Sequence, residues 1–401
     1  MALVREFLLV KSLEDLEREH GVKARVHDHK FSLNYDQIES REDDPLAQEC
    51  RGLILRPTEL QGSIDVARPL GDTIVLARPF DRFFNYGQAA AAEVDFDHPA
   101  TSFYEKMDGT LCIVYFDDVK NEWHVATRSI PEANLPVDGF GDHTFRTLFE
   151  KALLETVGKD FATWTSAQLF RDTTYMFELT TPANRIVVEY EGYGITLLAA
   201  RKTATGKELR PAFVQAQVKT PTADRYRFGS VTELVEFVSS RDPTKHEGIV
   251  VCDQHFRRIK VKNAGYLALN KVRDSVLKSP RGLVELILLE KLDDALPLFP
   301  DHVVDRAHKL QAAFRDLVAH YRDAYDACKA EADAAADVED REHRKAFALA
   351  VQAHERGWMA PMMEQYQGRV SGLVEWIQSK RQVDGGWSNG FLDTVLRYLE
   401  G

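Results

Sequence analysis

Cysteine is scarce and scattered in this chain. The four cysteines, Cys50, Cys112, Cys252 and Cys328, form no Cys-x-x-Cys pair. That leaves neither a zinc knuckle nor a disulfide framework and suits a reducing cytoplasm. No apolar run approaches the roughly eighteen residues of a membrane span, so no membrane partner is expected. The N-terminus, Met1-Ala2-Leu3-Val4-Arg5-Glu6, lacks the charged-then-apolar layout of a signal peptide. Basic excess is absent too: 51 Lys and Arg stand against 63 Asp and Glu, a net charge of -12. Broad nonspecific duplex binding draws its affinity from many phosphate contacts, and this balance argues against it. A local basic cleft in an acidic shell stays open. No repeat with a period of roughly 20 to 50 residues is visible, which excludes solenoids and propellers.

What is present divides in two. Over 401 residues, two or three domains are expected. Ser12, with Asp15 three residues on, reads as a capped helix start that Gly21 ends. Short β-prone runs follow at Phe31–Tyr35, Gly52–Arg56, Leu111–Phe116, Glu122–Thr127, Thr174–Thr180, Arg185–Tyr190, Ile195–Ala200, Gly248–Cys252 and Arg257–Lys262. Helical stretches are expected at residues 142–158, 211–218 and 231–240. From about residue 272 the chain turns Ala-, Leu- and charge-rich, with helices expected at 302–335, 342–355, 360–380 and 390–400. The expectation is an α+β domain over 1–271 and an all-α domain over 272–401.

The chemistry-bearing stretch is Tyr104-Glu105-Lys106-Met107-Asp108-Gly109-Thr110. A lysine stands where a strand ends, before an Asp-Gly turn. Alone, Lys-x-Asp-Gly is a weak signal, because Asp-Gly is a common hairpin turn. Five other segments add to it. Arg51-Gly52 opens a strand, where the bland alternative is a surface arginine. Arg78 to Tyr86 crowds two arginines among four aromatics, suited either to a core edge with snorkelling cations or to a base and a phosphate. Glu178 sits among apolar strand residues, an unusual place for an acid unless it is paired or at a cleft. Glu247-Gly248 introduces a strand, and Lys260-x-Lys262 points two ammonium groups to one strand face. That is ordinary for a solvated face and also what a triphosphate needs.

Taken in order, Arg51-Gly52, Lys106-x-Asp108-Gly109, Phe177-Glu178, Glu247-Gly248 and Lys260-x-Lys262 resemble the motifs of the covalent nucleotidyltransferase superfamily of ligases and capping enzymes. More closely, the chain resembles the phage-type RNA ligase 1 family, the tRNA-repair ligases of T-even phages. Phe31-Ser32-x-Asn34-Tyr35, Arg78-Pro79-x-x-Arg82-Phe83-Phe84-Asn85, Pro182-x-Asn184-Arg185-Ile186-Val187 and Lys260-x-Lys262-x-x-x-Tyr266 carry that likeness. The resemblance implies an antiparallel-sheet adenylation domain followed by a helical RNA-specificity module. It implies ATP and Mg2+, with Mn2+ as substitute. The implied substrate is RNA with 5′-phosphate and 3′-hydroxyl ends, nicked tRNA among them, prepared by an upstream kinase-phosphatase in the cytoplasm (the host's, if phage-encoded).

By that resemblance Lys106 attacks the α-phosphorus of ATP, Glu178 holds the ribose and Glu247 a divalent metal; Asp108, in the turn, can orient the lysine or act through a metal-bound water. Lys260 and Lys262 hold the α-phosphate and the departing pyrophosphate. Arg51, Arg82, Phe84, Glu105, Gly109 and Arg128 line the nucleotide pocket, Tyr266 serves the later joining step, and Asp293-Asp294 falls at an acidic pair that binds metal. Leu33 stands where the family carries a tyrosine near the nucleotide, and Arg82 and Arg128 where it carries lysine. A neutral amine is required for attack. Bringing a lysine from about 10.4 to about 7 costs about 4.6 kcal/mol, which burial, like charges and a metal help to meet. A DNA ligase or capping enzyme is the alternative within the superfamily, though both usually append a β-barrel after the last lysine motif. A non-catalytic RNA-binding module would be expected to lack one of Lys106, Glu247, Lys260 or Lys262.

Overall fold

The computed structural model describes residues 2–59, 63–134, 143–182, 187–188, 190–267, 280–296, 301–335, 340–382 and 387–400. The chain forms two compact units, Met1–Asn270 and Lys271–Gly401. Among the described residues no helix is long and apolar enough to cross a membrane.

Fourteen strands build the first unit: β1 (Val22–His27), β2 (Lys30–Tyr35), β3 (Arg51–Pro57), β4 (Thr73–Ala77), β5 (Phe84–Asn85), β6 (Ser102–Glu105), β7 (Thr110–Asp117), β8 (Glu122–Ala126), β9 (Thr173–Thr180), β10 (Gly194–Lys202), β11 (Glu208–Leu209), β12 (Arg225–Tyr226), β13 (Gly248–Cys252) and β14 (Arg258–Lys262). They form three sheets, in the orders β1-β2-β3-β4, β11-β10-β9-β7-β8 and β12-β6-β13-β14-β5. The pairings are antiparallel except that of β5 with β14. The first sheet rests on the second through Ile54, Leu76 and Ala77 against Ile113, Tyr115 and Ala126. The other face of the second sheet is covered by helices α4 (Phe145–Val157), α5 (Phe161–Gln168) and α6 (Pro211–Val218), around buried Phe149, Trp164, Phe177 and Val218.

The third sheet has two distinct faces. Phe103, Ile249, Val251, Ile259 and Val261 pack with Leu234 and Val238 of helix α7 (Val231–Ser240). Side chains alternate along a strand, so Ser102 and Tyr104, together with Lys260 and Lys262 on β14, take the opposite face.

Local rules explain much of this. Ser12 caps the helix Leu13–His20, its hydroxyl accepting from the Asp15 N–H at 3.0 Å while Asp15 Oδ2 accepts from the Ser12 N–H at 2.9 Å. Gly21 ends that helix with φ +61°, a left-handed conformation that glycine adopts without penalty. Two expectations need correction. Of the strand expected over Arg185–Tyr190, residues 185, 186 and 189 lie outside the described residues, and Val187, Val188 and Tyr190 belong to no strand. The helix expected over 360–380 is two, Met359–Tyr366 and Leu373–Gln378, parted where Gly368 takes φ +68°. The helices expected over 302–335 and 342–355 are Asp301–Ala335 and Asp340–His354.

The second unit is helical in its described residues, with Pro280–Leu288 and Asn389–Glu400 joining the helices above. Leu283, Leu286 and Ile287 are buried on the helix Pro280–Leu288. Arg281 Nη2 meets Asp393 Oδ2 at 2.8 Å.

Candidate active site

Lys106 leaves the end of β6. Its N–H donates to the Gly248 carbonyl at 2.8 Å, which sets it beside the start of β13. Its amine lies 2.6 Å from Glu247 Oε2, and Lys262 Nζ lies 3.1 Å from the other oxygen, Oε1. One buried carboxylate is thus shared by two ammonium groups. The backbone allows this because residue 248 is glycine: a Cβ there would stand 2.2 Å from the Val261 carbonyl.

The turn after Lys106 is tied down by Asp108, which is 3% exposed. Asp108 Oδ2 accepts from the N–H groups of Val187 at 2.9 Å and Val188 at 2.8 Å. Its Oδ1 accepts from the Tyr266 hydroxyl at 2.9 Å, and its own N–H donates to the Tyr190 hydroxyl at 3.2 Å. Burial pushes the Asp108 carboxyl above its ordinary range, and the negative Glu247 adds to the rise. Gly109 then lets β7 run close to β9, since a Cβ at that position would lie 2.3 Å from the Leu179 carbonyl.

Glu178 projects from β9, opposite Leu111 of β7 and Thr196 of β10. Burial pushes its carboxyl up to about 7; Lys106 and Arg51 pull it down, while Glu247 and Asp108 push it further up. The field of Lys106 at this carboxyl places Glu178 and Lys106 in one electrostatic neighbourhood, though they come from different sheets.

Beside it stands a bank of cations. Arg51 lies over the rings of Phe80 at 4.8 Å and Phe83 at 5.8 Å. Its Nη1 is buried and has no hydrogen-bond partner among the described residues. Arg82 stacks on Phe84 at 4.9 Å and on Tyr35 at 4.4 Å, and Arg128 lies over Tyr35 at 5.6 Å. Burial alone would raise the Tyr35 phenol. The charges of Arg128, Arg51, Arg82 and Lys260 outweigh it and leave the phenol below its ordinary value. Lys260 is therefore near enough to be felt at Tyr35.

The structure thus brings together Lys106, Glu247 and Lys262 in one bonded group and Asp108 with Tyr266 in a second, with Glu178, Arg51, Arg82, Phe84, Arg128 and Lys260 around them. It does not bring in every expected residue. Leu33 is fully buried in the core of the first sheet, opposite Ala24 and Leu53. Tyr35, at the strand's end, is the residue that meets the cations. The Glu105 side chain takes the α7 face of the third sheet, where its Oε1 accepts from His246 Nδ1 at 3.0 Å. Asp293 belongs to the second unit, in the short helix Leu292–Ala295, and the Asp294 side chain lies outside the described residues. Asn184, Arg185 and Ile186 also lie outside them. Tyr190 was given no role in the sequence, and Tyr35 was quoted only as the last residue of Phe31-Ser32-x-Asn34-Tyr35, with no contact assigned to it.

A family model described as RNA ligase matches residues 49–266, more than half of the chain. A protein of Autographa californica nuclear polyhedrosis virus named as a bifunctional polynucleotide kinase/RNA ligase is 34% identical over 280 residues, covering 67% of this chain and 37% of that protein. The alignment thus spans little more than a third of the viral protein. An RNA ligase of Rhodothermus phage RM378 is 26% identical over 408 residues, covering 86% of this chain and 87% of that one. Among solved structures, an archaeal ATP-dependent RNA ligase aligns over 97% of this chain and 98% of its own, at 13% identity and a TM-score of 0.43. The class is that of the nucleic-acid ligases. Within it, the chain belongs to the phage-type RNA ligase family.

Proposed function

We propose that this chain is an ATP-dependent RNA ligase that works through a lysyl-AMP intermediate on Lys106. The observation that carries the reading is the Lys106–Glu247–Lys262 arrangement, a strand-end lysine held on a carboxylate shared with a second lysine. In the first step the Lys106 amine attacks the α-phosphorus of ATP and pyrophosphate leaves. AMP then passes to the 5′-phosphate of an RNA end. A 3′-hydroxyl finally attacks that phosphate and displaces AMP. Lysine suits the task because its amine is nucleophilic once neutral.

The surroundings fit a nucleoside triphosphate. Arg51 holds a buried, unpartnered Nη1, and Arg82, Arg128, Lys260 and Lys262 supply positive charge where negative charge develops. Glu178, raised to about 7, would take the ribose hydroxyls, and Phe84 the base. Among the described residues no group of three or more His, Cys, Asp or Glu is arranged to hold a metal. Mg2+ characteristically binds through one or two carboxylates with water and phosphate oxygens, so Glu247 suffices as its protein ligand, with Mn2+ as substitute. Such an ion would neutralise phosphate charge. Asp108 and Tyr266 hold the turn that follows the nucleophile. The second unit, residues 272–401, would select the RNA. An upstream end-healing kinase would fit a relative whose name joins kinase and ligase.

The test is incubation with α-labelled ATP and Mg2+, followed by denaturation. Wild type should retain label and Lys106→Ala should not. Label retained by the variant, or absent from wild type, would overturn the proposal. Parallel incubations with GTP, and with RNA and DNA ends, test the capping and DNA-ligase alternatives.

A further inference from the structure

Two arginines outside the cluster around Lys106 converge on one hydroxyl. Arg210 Nη1 donates to Ser102 Oγ at 3.0 Å, and Arg225 Nη2 donates to the same oxygen at 3.1 Å. Ser102, at the start of β6, is 2% exposed. Arg210 also donates to the Asp253 carbonyl at 3.0 Å, and its guanidinium lies over the Phe256 ring at 5.2 Å. That of Arg225 lies over the Tyr104 ring at 5.8 Å. Neighbouring acids are committed elsewhere: Asp253 to Arg257 at 2.7 Å, and Glu208 to Arg258. Among the described residues neither Arg210 nor Arg225 is ion-paired. In a chain of net charge -12, two like charges facing one neutral oxygen leave positive potential unanswered.

Their position gives that potential a use. Arg225 pairs with Tyr104 across β12 and β6. Side-chain alternation therefore puts Arg225, Tyr104 and Ser102 on the face opposite Phe103 and α7, the face that carries Lys260 and Lys262. Ser102 lies four residues before Lys106, about 13 Å along an extended strand. The β- and γ-phosphates of a nucleotide reacting at Lys106 do not reach that far. A polynucleotide does: 13 Å is about four nucleotides at the roughly 3.4 Å rise of a stacked strand, and fewer in an extended one. Guanidinium beside an aromatic face is also the pairing that holds single strands, phosphate on one and base on the other.

We infer that Arg210 and Arg225 form a binding site for an internal phosphodiester of the RNA strand, two to four nucleotides from the 5′-phosphate activated at Lys106. The inference rests on the ligase reading above and names where that substrate lies. Ser102 holds the two guanidiniums together until a phosphate takes its place as acceptor.

The experiment compares wild type, Arg210→Gln/Arg225→Gln, and Arg225→Lys. The substrates are a 5′-phosphorylated ten-nucleotide RNA and a 5′-phosphorylated dinucleotide, assayed for conversion to the adenylated end. The double glutamine variant should lose about tenfold in kcat/KM on the ten-mer and less than about twofold on the dinucleotide. Its salt dependence on the ten-mer should flatten by about 0.7 in log–log slope, the share of one single-strand phosphate. Arg225→Lys keeps the charge and should retain most activity on both. Label transfer from ATP to Lys106 reports whether the fold survives. Equal losses on both lengths, no loss on either, or loss of Lys106 labelling would each overturn the site, the last by making the Ser102 knot structural. A wild type that fails to label Lys106 or to activate any RNA end would instead sink the ligase reading itself.

Discussion

Glu178→Gln should make the nucleotide-free protein more stable at pH 8 while leaving it almost unchanged at pH 5. The Glu178 carboxyl is pushed from its ordinary 4.5 up to about 7 in the folded chain, chiefly by burial. Between those values the folded state binds a proton that the unfolded state has released. Stability must therefore fall as pH rises from about 4.5 to about 7, and stay down beyond it. At 1.36 kcal/mol per pH unit the loss comes to about 3 kcal/mol at most, less whatever solvent reaches the half-buried side chain. Glutamine is nearly isosteric and cannot ionise, so it avoids the loss. The readout is thermal unfolding followed by tryptophan fluorescence, in which Trp123 and Trp164 report on the first unit, at pH 5, 6, 7 and 8. The difference between variant and wild type should open across that range, by several degrees in Tm for a unit of this size. A gap that does not change with pH would refute the assignment of a raised carboxyl at Glu178. The variant should also bind ATP more weakly, because the negative charge set against Lys106 and Arg51 is gone.

Two further substitutions probe the frame. Gly109→Ala places a methyl 2.3 Å from the Leu179 carbonyl, where backbone must move; a loss of about 2–4 kcal/mol and weakened labelling of Lys106 are expected, and an unchanged melting curve would show that the strands can part freely. Tyr266→Phe takes one donor from the buried Asp108, costing about 1–3 kcal/mol and raising the Asp108 carboxyl further; unfolding followed from acid to neutral pH should show the deficit greatest where Asp108 is ionised, and a uniform deficit would contradict it.

The parts of this molecule that were legible in the sequence are those set by local rules. The Ser12–Asp15 cap, the Lys106 strand end, Glu178 on its strand and the Lys260–Lys262 pair all follow from spacing and turn chemistry. What stayed hidden depends on partners distant in the chain. β1, Val-Lys-Ala-Arg-Val-His, alternates apolar and polar residues and was still not among the expected strands; it is a short edge strand whose second half is exposed, and its pairing with β2 is what defines it. Leu33 and Tyr35 sit two residues apart on one strand, and only the tertiary position of Arg82 and Arg128 decides which of them meets charge. Glu105 adjoins Lys106 yet serves the opposite face, because β6 alternates and His246 waits there. The Ser102 knot draws on residues 108 and 123 positions away, a separation that no motif spans.

Strand order has a consequence for synthesis. β6, which carries the lysine, pairs with β12 and β13, and β5 pairs in parallel with β14. Every neighbour in that sheet of the strand that ends at Lys106 is made more than a hundred residues after it. At about 5–20 residues per second on the ribosome, the 156 residues from Lys106 to Lys262 take roughly 8 to 30 s to follow. During that interval the nascent chain holds Lys106 without the partners that the folded site sets around it. A chain cut short before Glu247 lacks the carboxylate that Lys106 and Lys262 share, so the site is completed late and all at once.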